Sequence, residues 1–169
     1  MPTQPPPNIT INTITSKNLT DETLIPLFTL SQKVFSSPTD SHRPSHNLET
    51  WRSYLQQPGS ILLYATHSNS PQTPVGLLFL HPRTAPEIGY SLPHIWIAAV
   101  EPESRGKGIF ALLMRRMFDF VRDELGEREV TVCTYPERFG RMYGVLKKMG
   151  WEAVAWREEG KKVLMRVGV

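Results

Sequence analysis

With 169 residues and a mass of 19.3 kDa, the chain has the length of one domain and can bury a core without disulfides or a structural metal. Its one cysteine, Cys133, excludes a disulfide framework within the chain and a zinc site built on paired cysteines. The net charge of +3, the lack of an apolar run near the roughly 20 residues of a membrane helix, and a first twenty residues charged only at Lys17 predict a soluble intracellular protein, cytoplasmic with the nucleus left open, and no nucleic-acid or membrane partner.

Residues 1–8, with four prolines, read as a disordered tail, and residues 9–169 as a single folded unit. Residues 9–14 are a short β-branched strand, and residues 21–35 a helix with Leu24, Leu27, Phe28, Ser31, Val34 and Phe35 on one face. Thr20 or Thr23 is placed to cap that helix, and Pro26 suits it only in a first turn. A loop at 36–46 precedes a short helix at 47–57. Two apolar strands, 60–66 and 75–80, then form a hairpin with a loose tip. After a loop at 81–93, residues 94–100 (HIWIAAV) read as a strand covered on both faces. An amphipathic helix at 109–125 ends at Gly126, a strand follows at 129–135, a helix at 137–149 stops at Gly150, and strands at 151–156 and 162–167 close the chain. Strand runs punctuated by helices predict an α/β fold with a mixed sheet of six to seven strands covered on both faces.

The sharpest motif is Arg105-Gly106-Lys107-Gly108 between the apolar strand and the long helix. A helix N-terminus leaves backbone N–H groups unpaired and carries partial positive charge, and two glycines keep side chains away from those donors. Two basic side chains add formal charge, an arrangement suited to pyrophosphate. Residues 1–100 hold five basic and five acidic side chains, so the whole positive excess lies in residues 101–169. A P-loop is excluded because G-x-x-x-x-G-K-[ST] is absent. Gly106-x-Gly108-x-x-Ala111 fits a dinucleotide fingerprint in letters, but Glu101 to Ser104 separate it from the strand. Coenzyme A is the third ligand class.

The run V-x-P-E-S-R-G-K-G-I from Val100 to Ile109 resembles the signature of the GNAT superfamily of acetyl-CoA-dependent acyltransferases, R/Q-x-x-G-x-G/A. Arg105 and Gly108 match, while Phe110 stands where the family has a small residue. Leu146-Lys147-Lys148-Met149-Gly150-Trp151 is similar to the family's aromatic-K-x-x-G-F ending, and the element order agrees over about residues 9–168. The resemblance implies the GNAT fold, acetyl-CoA as cosubstrate and an amine acceptor, small molecule or protein. It also implies that Ala98, Ala99 and Val100 hold the pantetheine arm and that the amides of Arg105, Gly106, Lys107, Gly108, Ile109 and Phe110 hold the diphosphate. Phe110 avoids the diphosphate if it turns to the core, and Arg115 and Arg116 are within reach of an outer phosphate or simply solvated.

Acyl transfer needs the neutral amine, and a lysine-like amine with a pKa of about 10.4 requires roughly 4 kcal/mol to lose its proton near pH 7. His94 is the candidate base: it lies six residues before Val100, where family members that acetylate lysines carry a glutamate, and alternation puts it beside Trp96 and Ala98. The opposing expectation is a loop-to-strand residue half in solvent. The family's thiolate-protonating tyrosine corresponds to Leu146, which leaves Tyr143 one turn earlier as candidate acid, with Tyr135, Glu137 and Glu87 as lesser ones. Cys133 reads as a buried small hydrophobe, His42 and His46 as a solvated loop with no metal, and the four tryptophans as core or sheet-face residues. The motifs thus predict an acetyl-CoA-dependent N-acetyltransferase, with a non-catalytic acyl-CoA-binding module, another acyl group or another acceptor as alternatives.

Overall fold

The computed structural model describes residues 8–36 and 47–169. The expected tail up to residue 7, most of the loop at 36–46, and His42 and His46 within it lie outside the described residues.

Seven strands form one mixed sheet: β1 (Ile9–Ile14), β2 (Ile61–His67), β3 (Ser70–Thr84), β4 (Ser91–Val100), β5 (Glu129–Thr134), β6 (Glu152–Arg157) and β7 (Lys162–Gly168). Their order is β1-β2-β3-β4-β5-β7-β6. Every neighbouring pair is antiparallel except β4 and β5. Helices α1 (Asp21–Phe35) and α2 (Leu48–Gln56) cover one face, and α3 (Ile109–Asp119) and α4 (Gly140–Lys148) accompany the other. This is the mixed α/β architecture expected from the residue pattern.

Each face is sealed by its own apolar cluster. Leu24, Leu27 and Leu30 of α1 and Trp51 and Leu55 of α2 pack on Leu62, Leu77 and Phe79. On the far side Ile109, Leu113, Met114 and Met117 of α3 pack on Leu63, Leu78, Leu80 and Ile95. The alternation of Leu77/Phe79 with Leu78/Leu80 is the period-2 pattern of a strand buried on both sides. Gly76 lets α3 approach, since a Cβ there would lie 2.9 Å from Cγ2 of Ile109.

Several expectations are corrected. Thr20 caps α1 through Thr23 N–H, so Pro26 is the sixth helical residue, and its missing N–H is outweighed by the burial of Leu24, Leu27 and Leu30. Helix α4 starts at Gly140 because residues 135–139 form a turn in which Arg138 and Phe139 N–H donate to Tyr135 O. The long helix does not stay α to its end: Phe120–Glu124 form one π turn, with Leu125 N–H bonded to Phe120 O. The loop expected at 81–93 is mostly strand, because His81 to Thr84 pair with Ser91 to His94. Pro82 and Pro93 face each other there, beyond the last β2 pair at Leu80 and the first β5 pair at His94, so neither strand needs an outward N–H. Trp51 and Trp151 are buried, but Trp156 on the edge strand β6 is 52 % exposed.

Candidate active site

The parallel ladder between β4 and β5 consists of two pairs, His94 with Thr131 and Ile95 with Val132. Beyond them the strands part, which exposes backbone on both inner edges. A cleft of about 1940 Å³ opens there, lined by β4 from His94 to Val100, the turn before α3, the end of β5, α4 and the β6–β7 turn.

At one end stands the glycine turn. Gly106 and Gly108 both have φ of +77°, a conformation that an L side chain adopts only at about 1–2 kcal/mol, and an added Cβ would meet nothing within 4 Å. Gly108 is the N-cap of α3, and no side chain caps the helix, so its first N–H groups are left uncapped where Ile109, Phe110 and Ala111 line the cleft. Arg105 Nε donates to Val100 O at 3.1 Å and ties the turn to the strand end, and Lys33 braces the same segment through Glu101 at 2.8 Å. Phe110 packs against the apolar cluster beneath α3. Lys107 is exposed and does not line the cleft, and Arg116 pairs with Glu124 at 3.3 Å on the far flank. An open row of helix-terminal amides after two αL glycines fits a diphosphate.

At the other end is a polar and aromatic floor. A bulge between Phe79/Leu80 of β3 and Ile95/Ile97 of β4 inserts one residue. It breaks the expected alternation: His94 and Trp96 face α2, whereas Ala98 packs with the α3 cluster. His94 is not half in solvent but 2 % exposed. Arg83 Nη1 lies 3.2 Å from His94 Nε2, and Thr131 Oγ1 lies 2.8 Å from Nδ1. A guanidinium can only donate, so Nε2 is the lone pair and Nδ1 carries the proton to Thr131, whose hydroxyl points on to Pro93 O. Burial, and then Arg83, His81, Lys162 and Arg157, push the His94 imidazole down to about 3. It is therefore neutral near pH 7 and already engaged at both nitrogens.

His81, the cross-strand partner of His94, is arranged differently. Its Nδ1 donates to Pro82 O at 3.0 Å, which leaves Nε2 as a lone pair with no partner among the described residues. Burial holds its pKa below the ordinary histidine value, with a further push from Arg83. The ring lines the cleft and stacks on Tyr54 at 4.3 Å, and Trp96 closes the corner at 5.9 Å. Phe79, His81 and Arg83 follow one another at period 2, so the continuation of β3 was the sequence signal for both residues.

The structure does not bring Tyr143 to the cleft: its ring faces Trp156 at 6.4 Å, with Lys147 Nζ 5.5 Å over it. Leu146 lines the cleft in the position where the tyrosine was expected. Tyr135, at the end of β5, does line it, and its hydroxyl donates to Glu158 at 3.0 Å. Cys133 is half-buried and on the cleft wall, not sealed in the core. Glu87 does not line the cleft: hydrogen bonds from Arg157 at 2.5 and 2.7 Å, with a smaller pull from Arg83, bring its carboxyl down to about 2. Among the described residues, no group of three His, Cys, Asp or Glu side chains is placed to hold a metal ion, and no helix is long and apolar enough to cross a membrane.

A sequence model of the acetyltransferase (GNAT) family matches residues 26–151. No curated protein sequence matches the chain significantly. Among solved structures, the NatC complex bound to Gag peptide and CoA aligns with a TM-score of 0.72 at 17% identity, over 96% of this chain and 99% of that one. An acyl-CoA N-acyltransferase from Pseudomonas aeruginosa aligns at 0.70 and 16%, over 94% and 98%. The ribosomal-protein-S18-alanine N-acetyltransferase from Escherichia coli aligns at 0.67 and 11%, over 95% and 94%. At these identities the likeness is one of fold.

Proposed function

The chain belongs to the acetyltransferase (GNAT) family, and from that premise we propose that it transfers an acetyl group from acetyl-CoA to a primary amine by direct attack in a ternary complex. The observation that carries this reading is one cleft that joins the open amides before α3 to the parted edges of β4 and β5. Acetyl-CoA is a substrate here and supplies an acetyl carbon already activated as a thioester. Its diphosphate would rest on the amides of residues 105–110, and its pantetheine arm along the free edge of Ala98, Ala99 and Val100. Preorganised strand amides beside the carbonyl stabilise the charge that develops on its oxygen.

The amine nitrogen forms the new bond to the acetyl carbon as the carbon–sulfur bond breaks. Its proton goes to His81 Nε2 through water, since His81 stands level with His94 and not beside the thioester, in place of the His94 role expected from spacing. A histidine neutral at pH 7 with an unclaimed lone pair is suited to this, whereas one that binds a proton only near pH 3 is not. The CoA thiolate, whose thiol pKa is about 8.5, takes a proton from the Tyr135 hydroxyl or from water. Tyr135 replaces Tyr143 in this reading because it lines the cleft. The burial and positive neighbours that depress His94 also disfavour an ammonium ion at that end of the cleft.

Thiol release from acetyl-CoA with a panel of primary amines tests the reading. Wild-type protein should turn over, and His81→Gln should lower kcat by about 100-fold and remove the acidic limb of the pH profile. Stabilisation by acetyl-CoA without thiol release from any amine would instead establish a binding module, a reading that Leu146 in the tyrosine position favours.

A further inference from the structure

We propose that Arg83 is the docking point for a carboxylate on the acceptor, so that the acetylated amine is a small molecule carrying a carboxylate several bonds from its nitrogen. This rests on the acyltransferase reading and names the acceptor class. Two nearby cations are matched: Arg157 is closed by Glu87, and Lys162 lies 3.7 Å from Glu158, while Lys161 is exposed on the β6–β7 turn. Arg83 has no carboxylate in salt-bridge range among the described residues, and its hydrogen-bond partner is the neutral His94. His94 takes one of the five guanidinium N–H donors and fixes the direction of the others. A half-buried guanidinium aimed into a cleft with donors to spare matches the fork geometry of a carboxylate.

Position sets the length of the acceptor. Arg83 sits beside His94, three strand residues before Ile97, which corresponds to about 10 Å at ordinary strand rise. The pantetheine arm on Ala98 to Val100 puts the thioester near Ile97, so amine and carboxylate are separated by most of that span. Between them lie the rings of Tyr54 and Trp96, 4.6 Å apart at their centroids, which suit an apolar spacer. An amine with a second positive group would place that charge against Arg83.

The experiment compares aminohexanoate, hexylamine and diaminohexane as acceptors for wild type, Arg83→Gln and Arg83→Glu. Calorimetric binding of the same three amines to the CoA-loaded protein runs beside the kinetics. Wild type should prefer aminohexanoate at least tenfold in kcat/KM, mainly through KM. Arg83→Gln, which retains a donor for His94, should abolish the preference, and Arg83→Glu should shift it to diaminohexane. Equal use of aminohexanoate and hexylamine by wild type, or a preference that survives Arg83→Gln, overturns the assignment. If no amine turns over, the acyltransferase reading fails. The calorimetric preference for aminohexanoate and its loss in Arg83→Gln then decide the Arg83 site by themselves.

Discussion

His94 sits between a donor that needs its lone pair and an acceptor that needs its proton, and both conditions hold only for the neutral ring. The folded state releases the His94 proton near pH 3, the unfolded chain near 6.5, so between those values the unfolded state binds a proton that the folded state refuses. Stability is therefore complete above about pH 6.5 and falls as pH drops towards 3, by up to about 1.4 kcal/mol for each pH unit. Urea unfolding at pH 7 and pH 5 measures this, and His94→Gln, which can accept from Arg83 and donate to Thr131 without titrating, should flatten the slope. An unchanged slope in that variant would remove His94 as its source. Which of the neighbouring histidines keeps a free lone pair was not legible from spacing, because it depends on Pro82 O, Arg83 and Thr131 approaching from two strands.

The turn into α3 is the element whose role was most legible. Two glycines flanked by basic residues before an amphipathic helix point to anion binding through local geometry alone, and both glycines adopt the left-handed conformation. Gly108→Val should weaken acetyl-CoA binding at least tenfold in calorimetry with an unchanged far-ultraviolet spectrum, at a stability cost of about 1–2 kcal/mol for a side chain at positive φ. Wild-type affinity in that variant would refute the diphosphate assignment. The bulge in β4 was not legible, since an apolar run such as IWIAAV gives no sign of an inserted residue, yet it turns Ala98 away from the face of Trp96 and His94. The expected loop at 81–93 failed for a related reason. Its prolines suggested a break, but they lie where the outer strand partners have ended, so they are tolerated.

At the scale of the whole molecule, the cleft exists because a mixed sheet has one parallel joint, and that joint holds for two residue pairs before it opens. A ligand that bridges the two sides favours the folded state. Acetyl-CoA at about 100 times its Kd should raise unfolding stability by about 2.7 kcal/mol, read as a shift in the urea midpoint. No shift would sink the cleft as the cosubstrate's site. The residue pattern by itself determined the order of elements, the two-sided sheet and the anion-binding turn, because periodicity and local φ requirements act over a few neighbouring residues. Only the tertiary structure decided which side chains share the acceptor end. Arg83, His81, His94 and Thr131 meet, with Tyr135 on the wall of the same cleft, through strand register, a bulge and the point where two strands separate, and those are set by contacts between residues as far apart as the 37 positions from His94 to Thr131.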